Sequence, residues 1–134
     1  CFELFAARDD EPAYCEFNFT PSGEWAAYAF ADYRHARRDA AQDRIDVSTQ
    51  AAGDGPLRLR ARMNLATALE LDPQALALAS WRLNCAAIIE SNAGALSYWA
   101  VHHPGAQPDF HDRAGFRLAL GGAARTRIAT GAHR

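Results

Sequence analysis

A chain of 134 residues, of which 49% are hydrophobic and 22% charged, has the composition of one globular domain rather than of a disordered segment. All 14 basic residues are arginine, and they are interspersed with acidic residues to give a net charge of −2. This pattern argues against a nucleic-acid partner, which needs clustered positive charge. No apolar run approaches the roughly 18 residues of a membrane-spanning helix, so no membrane span is expected in this segment.

The start of the chain reads as a β-strand, because residues 1–5 are almost entirely apolar. A strand that begins at the first residue needs a neighbour for its edge, so we expect an N-terminally truncated domain with further strands before Cys1. The three cysteines, Cys1, Cys15 and Cys85, lie within apolar strand patterns and form no CxxC motif. We expect three buried free thiols, which favours a cytoplasmic compartment.

Alternating apolar and polar residues predict most of the strands. Residues 13–20 place Cys15, Phe17 and Phe19 on one face, and Tyr14, Glu16 and Asn18 on the other. A turn at residues 21–23 leads into a second strand over residues 25–34, which predicts a β-hairpin. Residues 36–44 are expected to be a loop or a helical turn. A strand is predicted over residues 45–49, and another over residues 57–65, with Leu57, Leu59, Ala61, Met63 and Leu65 pointing inward and Arg58, Arg60 and Arg62 outward.

The second half of the chain begins with a short predicted helix at Pro73, capped by Asp72. Strands are then predicted over residues 81–90 and 96–102, separated by a turn at residues 92–94, and over residues 116–120. Residues 103–114 form a long loop before the last strand. The fold class expected from these elements is an all-β antiparallel sandwich over residues 1–120, followed by a flexible tail over residues 121–134.

No catalytic motif is recognisable, so we do not expect an enzyme. His102, His103 and His111, with Asp109 and Asp112 nearby, are the candidates for a metal site. The alternative is that Pro104, Pro108 and Asp109 shape the loop while the histidines bond to the backbone. On a strand, His102 and His103 point to opposite faces, which disfavours a shared ion.

Aromatic residues on and beside the hairpin strands suggest a ligand-binding surface. An exposed aromatic ring stacks on sugar rings and other planar ligands, although tryptophans also fill sandwich cores. Alternation further places Glu16, Asn18, Arg82 and Asn84 on one sheet face, where polar recognition or simple solvation would explain them. The candidate ligand-binding residues are Trp25, Tyr28, Tyr98, Trp99, Asp109 and His111.

Four stretches, CFELF, YCEFNFTPSGEWAAYAFADYR, WRLNCAAIIE and LSYWAVHHPGAQPDFHDRAGFRLAL, resemble bacterial DOMON-like domain proteins. That group is similar to family nine carbohydrate-binding modules and, more distantly, to haem-binding DOMON cytochromes. The resemblance implies an immunoglobulin-like β-sandwich with further strands before Cys1. It also implies paired tryptophans that grip a sugar, for which Trp25 and Trp99 are the candidates.

The cytochrome relatives imply haem held by Met with His or with Lys. This chain has no Lys, its single methionine is Met63, and no CxxCH motif is present. The leucine-rich face on which Met63 lies favours a core residue. The sequence thus predicts a non-catalytic module for a carbohydrate-like ligand and no required cofactor, with a haem- or metal-binding protein or a protein-interaction domain as alternatives.

Overall fold

A computed structural model describes residues 1–40, 44–51 and 53–121. Its strands are β1 Phe2–Arg8, β2 Tyr14–Phe19, β3 Trp25–Phe30, β4 Arg38–Asp39, β5 Ile45–Gln50, β6 Arg58–Met63, β7 Trp81–Glu90, β8 Leu96–Ala100 and β9 Leu118–Leu120. Two short helices, α1 Leu65–Ala68 and α2 Pro73–Leu78, lie between β6 and β7, and a 3₁₀ turn spans Arg113–Gly115. No helix among the described residues is long and apolar enough to cross a membrane.

Seven strands form one antiparallel sheet in the order β4-β3-β2-β1-β7-β8, with β9 also paired to β7. The β5–β6 hairpin forms a separate two-stranded sheet that packs across it. The predicted all-β antiparallel sandwich is therefore confirmed. The β2–β3 hairpin follows its turn signal, with Gly23 at a positive φ of 95° in the connection.

The large sheet buries apolar side chains on both faces. We call the face that packs against β5–β6 the hairpin face; its core contains Ala6, Cys15, Phe17, Phe19 and Ala27. The opposite face, which we call the loop face, packs against residues 102–117, which we call the cover segment. Its core contains Phe5, Ala7, Tyr14, Phe30, Ala86, Phe110 and Phe116.

Local signals explain the helices. Pro73 opens α2, and the carboxylate of Asp72 accepts hydrogen bonds from the N–H groups of Gln74 at 2.7 Å and Ala75 at 3.4 Å, as predicted. Helix α1 was not predicted, because residue 65 was assigned to the preceding strand. Asn64 ends that strand and caps α1 by accepting from the N–H of Thr67 at 3.2 Å.

Several sequence expectations need correction. Cys15 is buried, but Cys1 and Cys85 are exposed, and Cys85 lies where nothing described covers the hairpin face. Leu57 precedes β6 and is 45% exposed rather than inward-facing. The stretch expected as a loop or helical turn contains β4, which pairs with β3. Of the predicted tail, residues 122–134 lie outside the described residues.

Candidate functional site

The cover segment leaves part of the loop face only partly buried. Register places Asn18 of β2 beside Glu3 of β1, and Glu3 beside the buried Ala86 of β7. Ala100 continues this row on β8, so small side chains flank the two polar ones. The remaining polar and aromatic side chains lie around this row of residues. The surface that we call the polar trough comprises Glu3, Glu16, Asn18, Tyr28, Tyr98 and His111.

Two carboxylates lie near each other in the polar trough. Glu16 Oε1 accepts a hydrogen bond from Asn18 Nδ2 at 2.8 Å. Glu3, on the neighbouring strand, forms no hydrogen bond or ion pair with any other described residue. Burial, followed by repulsion from Glu16, raises the pKa of Glu3. The trough therefore holds an unpartnered, partly buried acceptor beside a second acidic group.

His111 connects the cover segment to this acidic pair. Its Nδ1 lies 2.8 Å from the hydroxyl of Tyr14, and its Nε2 lies 3.7 Å from Glu16 Oε2. The Tyr14 hydroxyl also accepts the backbone N–H of Arg34 at 3.1 Å. The Tyr14 O–H is thus free to donate to Nδ1, which leaves the Nε2 proton facing Glu16. Burial, with a further contribution from Arg34, lowers the pKa of His111.

Asp109 serves mainly to hold the cover segment in place. Its carboxylate accepts hydrogen bonds from the Tyr33 hydroxyl and from Arg34 Nη2 at 3.0 Å. It also accepts from the backbone N–H of His111 at 3.2 Å. These bonds, acting against a burial effect of opposite sign, lower the pKa of Asp109. Asp109 therefore positions His111 instead of presenting a free group to a ligand.

A second attachment of the cover segment lies inside the core. Asn84 is fully buried, and its Nδ2 donates to the carbonyl of Phe110 at 3.2 Å. Its Oδ1 has no hydrogen-bond partner among the described residues. Gly115 lies above it, and an added Cβ there would lie 3.2 Å from the carbonyl oxygen of His102. Close approach at Gly115 and the bond to Phe110 together fix the height of the segment above the sheet.

Tyrosine rings stand at the two ends of the polar trough. Tyr28 belongs to β3 and carries the guanidinium of Arg37 over its ring at 4.8 Å. Tyr98 belongs to β8, is 42% exposed and contacts the ring of Phe110. The two strands lie four positions apart in the sheet, a distance of about 19 Å at the usual strand spacing. Glu3 lies on the strand midway between them.

The structure does not bring the predicted tryptophans to this site. Trp25 pairs in register with Phe19, and Trp99 pairs with Ala87, so both point to the hairpin face. They are 39% and 63% exposed, but the sheet separates them from Tyr28 and Tyr98. The expected group of aromatic residues is therefore divided between two faces, because neighbouring residues on a strand point in opposite directions.

The residues predicted as possible metal or haem ligands lie apart from one another as well. His102 and His103 are exposed in the cover segment, whereas Met63 is partly buried in the hairpin-face core. The sheet lies between Met63 and these histidines. Within residues 1–40, 44–51 and 53–121, no three His, Cys, Asp or Glu side chains are grouped to hold a metal ion.

Sequence alternation placed Glu16, Asn18, Arg82 and Asn84 on one face of the sheet. It did not predict that only Glu16 and Asn18 belong to the polar trough. Arg82 lies toward the opposite end of that face, where its Nε donates to Asp9 Oδ1 at 3.0 Å, and Asn84 is fully buried. The part played by Tyr14 was missed, since its contact with His111 spans 97 positions of sequence. Alternation did contain a signal for Glu3, a polar residue in an otherwise apolar strand.

Comparison with known proteins adds no relative: no protein-family model, no curated protein and no solved structure matches this chain significantly.

Proposed function

We propose that this domain is a non-catalytic binding module whose polar trough takes a carbohydrate-like ligand. The observation that carries the proposal is the Glu3 carboxylate, which is partly buried beside Glu16 without a partner among the described residues. Because this carboxylate is only partly buried and bonds to no described residue, its oxygens can accept hydrogen bonds from a ligand that displaces solvent. Such a site favours a ligand rich in hydroxyl donors.

The electrostatics of the trough support a neutral, donor-rich ligand. Glu3 and Glu16 repel anions, and the Nδ2 of Asn18 is already engaged by Glu16. The amide oxygen of Asn18 accepts from the Cys1 thiol at 3.9 Å, so the groups left to a ligand are chiefly the carboxylate oxygens. Sugar hydroxyls pair with carboxylates of this kind, and the apolar faces of sugar rings pack on tyrosine rings.

The separation of the tyrosines favours an extended ligand. A single sugar ring cannot touch both Tyr28 and Tyr98, because their strands lie about 19 Å apart across the sheet. A short oligosaccharide would contact the ring of Tyr98 at one end, Glu3 in the middle, and Tyr28 with the Arg37 guanidinium at the other end. The resemblance to family nine carbohydrate-binding modules agrees in ligand class but implies tryptophans, so the proposal here assigns the contacts to the loop face instead.

The test is calorimetric titration of the protein with a panel of mono- and oligosaccharides, followed by variants. We expect Glu3→Gln, which keeps the shape and removes the charge, to weaken oligosaccharide binding by about tenfold or more. Glu90→Gln, at the exposed end of β7, is the matched control and leaves binding unchanged. No heat and no saturation with any sugar would contradict the proposal.

A second pair of variants separates the two faces. Tyr98 and Trp99 are neighbours in sequence but lie on opposite faces of β8. The proposal expects Tyr98→Ala to weaken binding and Trp99→Ala to leave it unchanged. The reverse result would move the sugar site to the hairpin face, as the family resemblance implies.

A further inference from the structure

The β5–β6 hairpin covers only part of the hairpin face. One row of neighbouring residues runs across the sheet from Ala27 through Phe17 and Leu4 to Cys85 and Val101. Ala27 and Phe17 are 7% and 0% exposed, but Cys85 is exposed and Val101 is 43% exposed. The described residues that cover the hairpin face along this row therefore extend only as far as β1, and they leave Cys85 of β7 and Val101 open.

Beyond that boundary the sheet presents apolar side chains to solvent. Trp99 on β8 is 63% exposed, and Ile89 on β7 is 40% exposed. Leu118 and Leu120 of β9 face the same side and are 40% and 41% exposed. Exposed apolar groups that share one face of adjacent strands are typical of an interaction surface. We call this surface the open half of the hairpin face.

An unpaired strand edge borders the open half. β6 pairs with β5 on one side and with no other described strand on the other. β5 lies toward the β2–β3 turn, where Thr49 Oγ1 donates to the carbonyl of Pro21 at 2.9 Å. A groove of about 620 Å³ is lined by β6, by Ser48 and Gln50 of β5, by Phe19 of β2, and by residues of β1 and β7. A strand added to β6 would therefore lie over the open half.

The outer face of β6 indicates the charge of such a strand. Arg58, Arg60 and Arg62 alternate with the inward residues and are all exposed. None of the three forms an ion pair or hydrogen bond with another described residue. A neighbouring strand places its outward side chains beside these arginines, where acidic residues are favourable and basic residues are not.

The same charges argue against a second copy of this chain. If β6 paired with β6 of another copy, the outward arginines of the two strands would lie opposite each other. Like charges directly across an antiparallel pair are destabilising. The edge instead matches a strand whose outward residues are acidic and whose inward residues are apolar.

We propose that the open half of the hairpin face and the free edge of β6 bind an extended peptide strand of alternating apolar and acidic residues from another protein. The peptide backbone extends the two-stranded sheet by hydrogen bonding to β6. Its apolar side chains pack on Trp99 and neighbouring residues, and its acidic side chains lie beside the arginines. This function is independent of ligand binding in the polar trough.

The test uses two synthetic peptides of about ten residues, the length of a long strand, with valine at alternate positions and either glutamate or lysine between them. We expect the glutamate peptide to bind the protein at least about tenfold more tightly than the lysine peptide. The triple variant Arg58→Glu, Arg60→Glu, Arg62→Glu reverses that order. Equal affinities for the two peptides, or no binding of either, would overturn the proposal.

Two controls separate strand addition from simple charge attraction. N-methylation of alternate backbone nitrogens removes the donors that face β6, and it should abolish binding of the glutamate peptide without changing its charge. Trp99→Ala should weaken binding about tenfold, whereas Trp25→Ala, at the far side of the same face, should not. Undiminished binding of the methylated peptide, or a dimer of the protein alone that excludes the peptide, would refute the proposal.

Discussion

The two faces of the large sheet are covered in different ways. On the hairpin face, contact with β5–β6 is made by apolar side chains such as Phe17, Phe19 and Ile45. On the loop face, the cover segment is held by polar bonds as well, from Asn84 to Phe110 and from Tyr14 to His111. Apolar cover contributes stability that does not depend on pH. The polar bonds of the cover segment fix its geometry, and their strength depends on the ionisation of the groups that form them. The cover segment also leaves the polar trough only partly buried.

The largest expected effect is on the hairpin face. Phe17 is fully buried there, so Phe17→Ala should lower the free energy of unfolding by about 3–5 kcal/mol through lost burial and a residual cavity. Phe19→Ala, at 4% exposure, should act similarly. Urea denaturation of each variant measures the change. A loss below about 1 kcal/mol would mean that the register of β2 is shifted by one residue.

A smaller effect is expected at the polar attachment of the loop face. Asn84→Ala leaves the Phe110 carbonyl without its donor, which should lower the free energy of unfolding by about 1–3 kcal/mol. Asn92→Ala, in the exposed β7–β8 turn, is the control and should change little. If the two variants unfolded alike, the Asn84 bond would not be holding the cover segment.

The loop face should also make stability depend on pH. The pKa of His111 is lowered from 6.5, so below that pH the unfolded chain binds a proton that the folded chain does not. The free energy of unfolding should therefore fall as the pH drops below 6.5 toward the lowered pKa. Glu3 acts in the opposite direction above pH 4.5, because its pKa is raised from that value.

Chemical denaturation from about pH 8 to pH 5 measures this dependence. His111→Gln should flatten the curve above the range of Glu3, even though the lost contact with Tyr14 lowers stability at every pH. His103→Gln, an exposed ring, should keep the slope of the parent protein. An unchanged slope in His111→Gln would contradict a lowered pKa for this residue.

The smallest effect is expected on the open half of the hairpin face. Trp99 lies in the same row as Phe19 but is 63% exposed, so Trp99→Ala should change the free energy of unfolding by less than about 0.5 kcal/mol. Thermal and urea unfolding compared with Phe19→Ala measure the contrast within one row. A loss above about 2 kcal/mol would show that Trp99 packs against a cover beyond the described residues.

Local sequence determined most of the strands and the direction of their side chains. The alternation in residues 13–20 separated Phe17 and Phe19 from Glu16 and Asn18, and β7 has the predicted bounds. Asp72 and Pro73 were sufficient to place α2. These features depend on neighbouring residues, whose periodicity and capping chemistry are visible in a short window.

Tertiary structure alone decided what covers each face. Cys85 and Phe17 follow the same alternation, but only Phe17 lies beneath the β5–β6 hairpin, so one thiol expected in the core is exposed. The trough depended equally on distant contacts, since His111 reaches Tyr14 across 97 positions and Glu3 meets Asn18 through strand pairing. Alternation states which side of a strand a residue occupies. Whether that side becomes core, site or open surface depends on which distant segments pack over it.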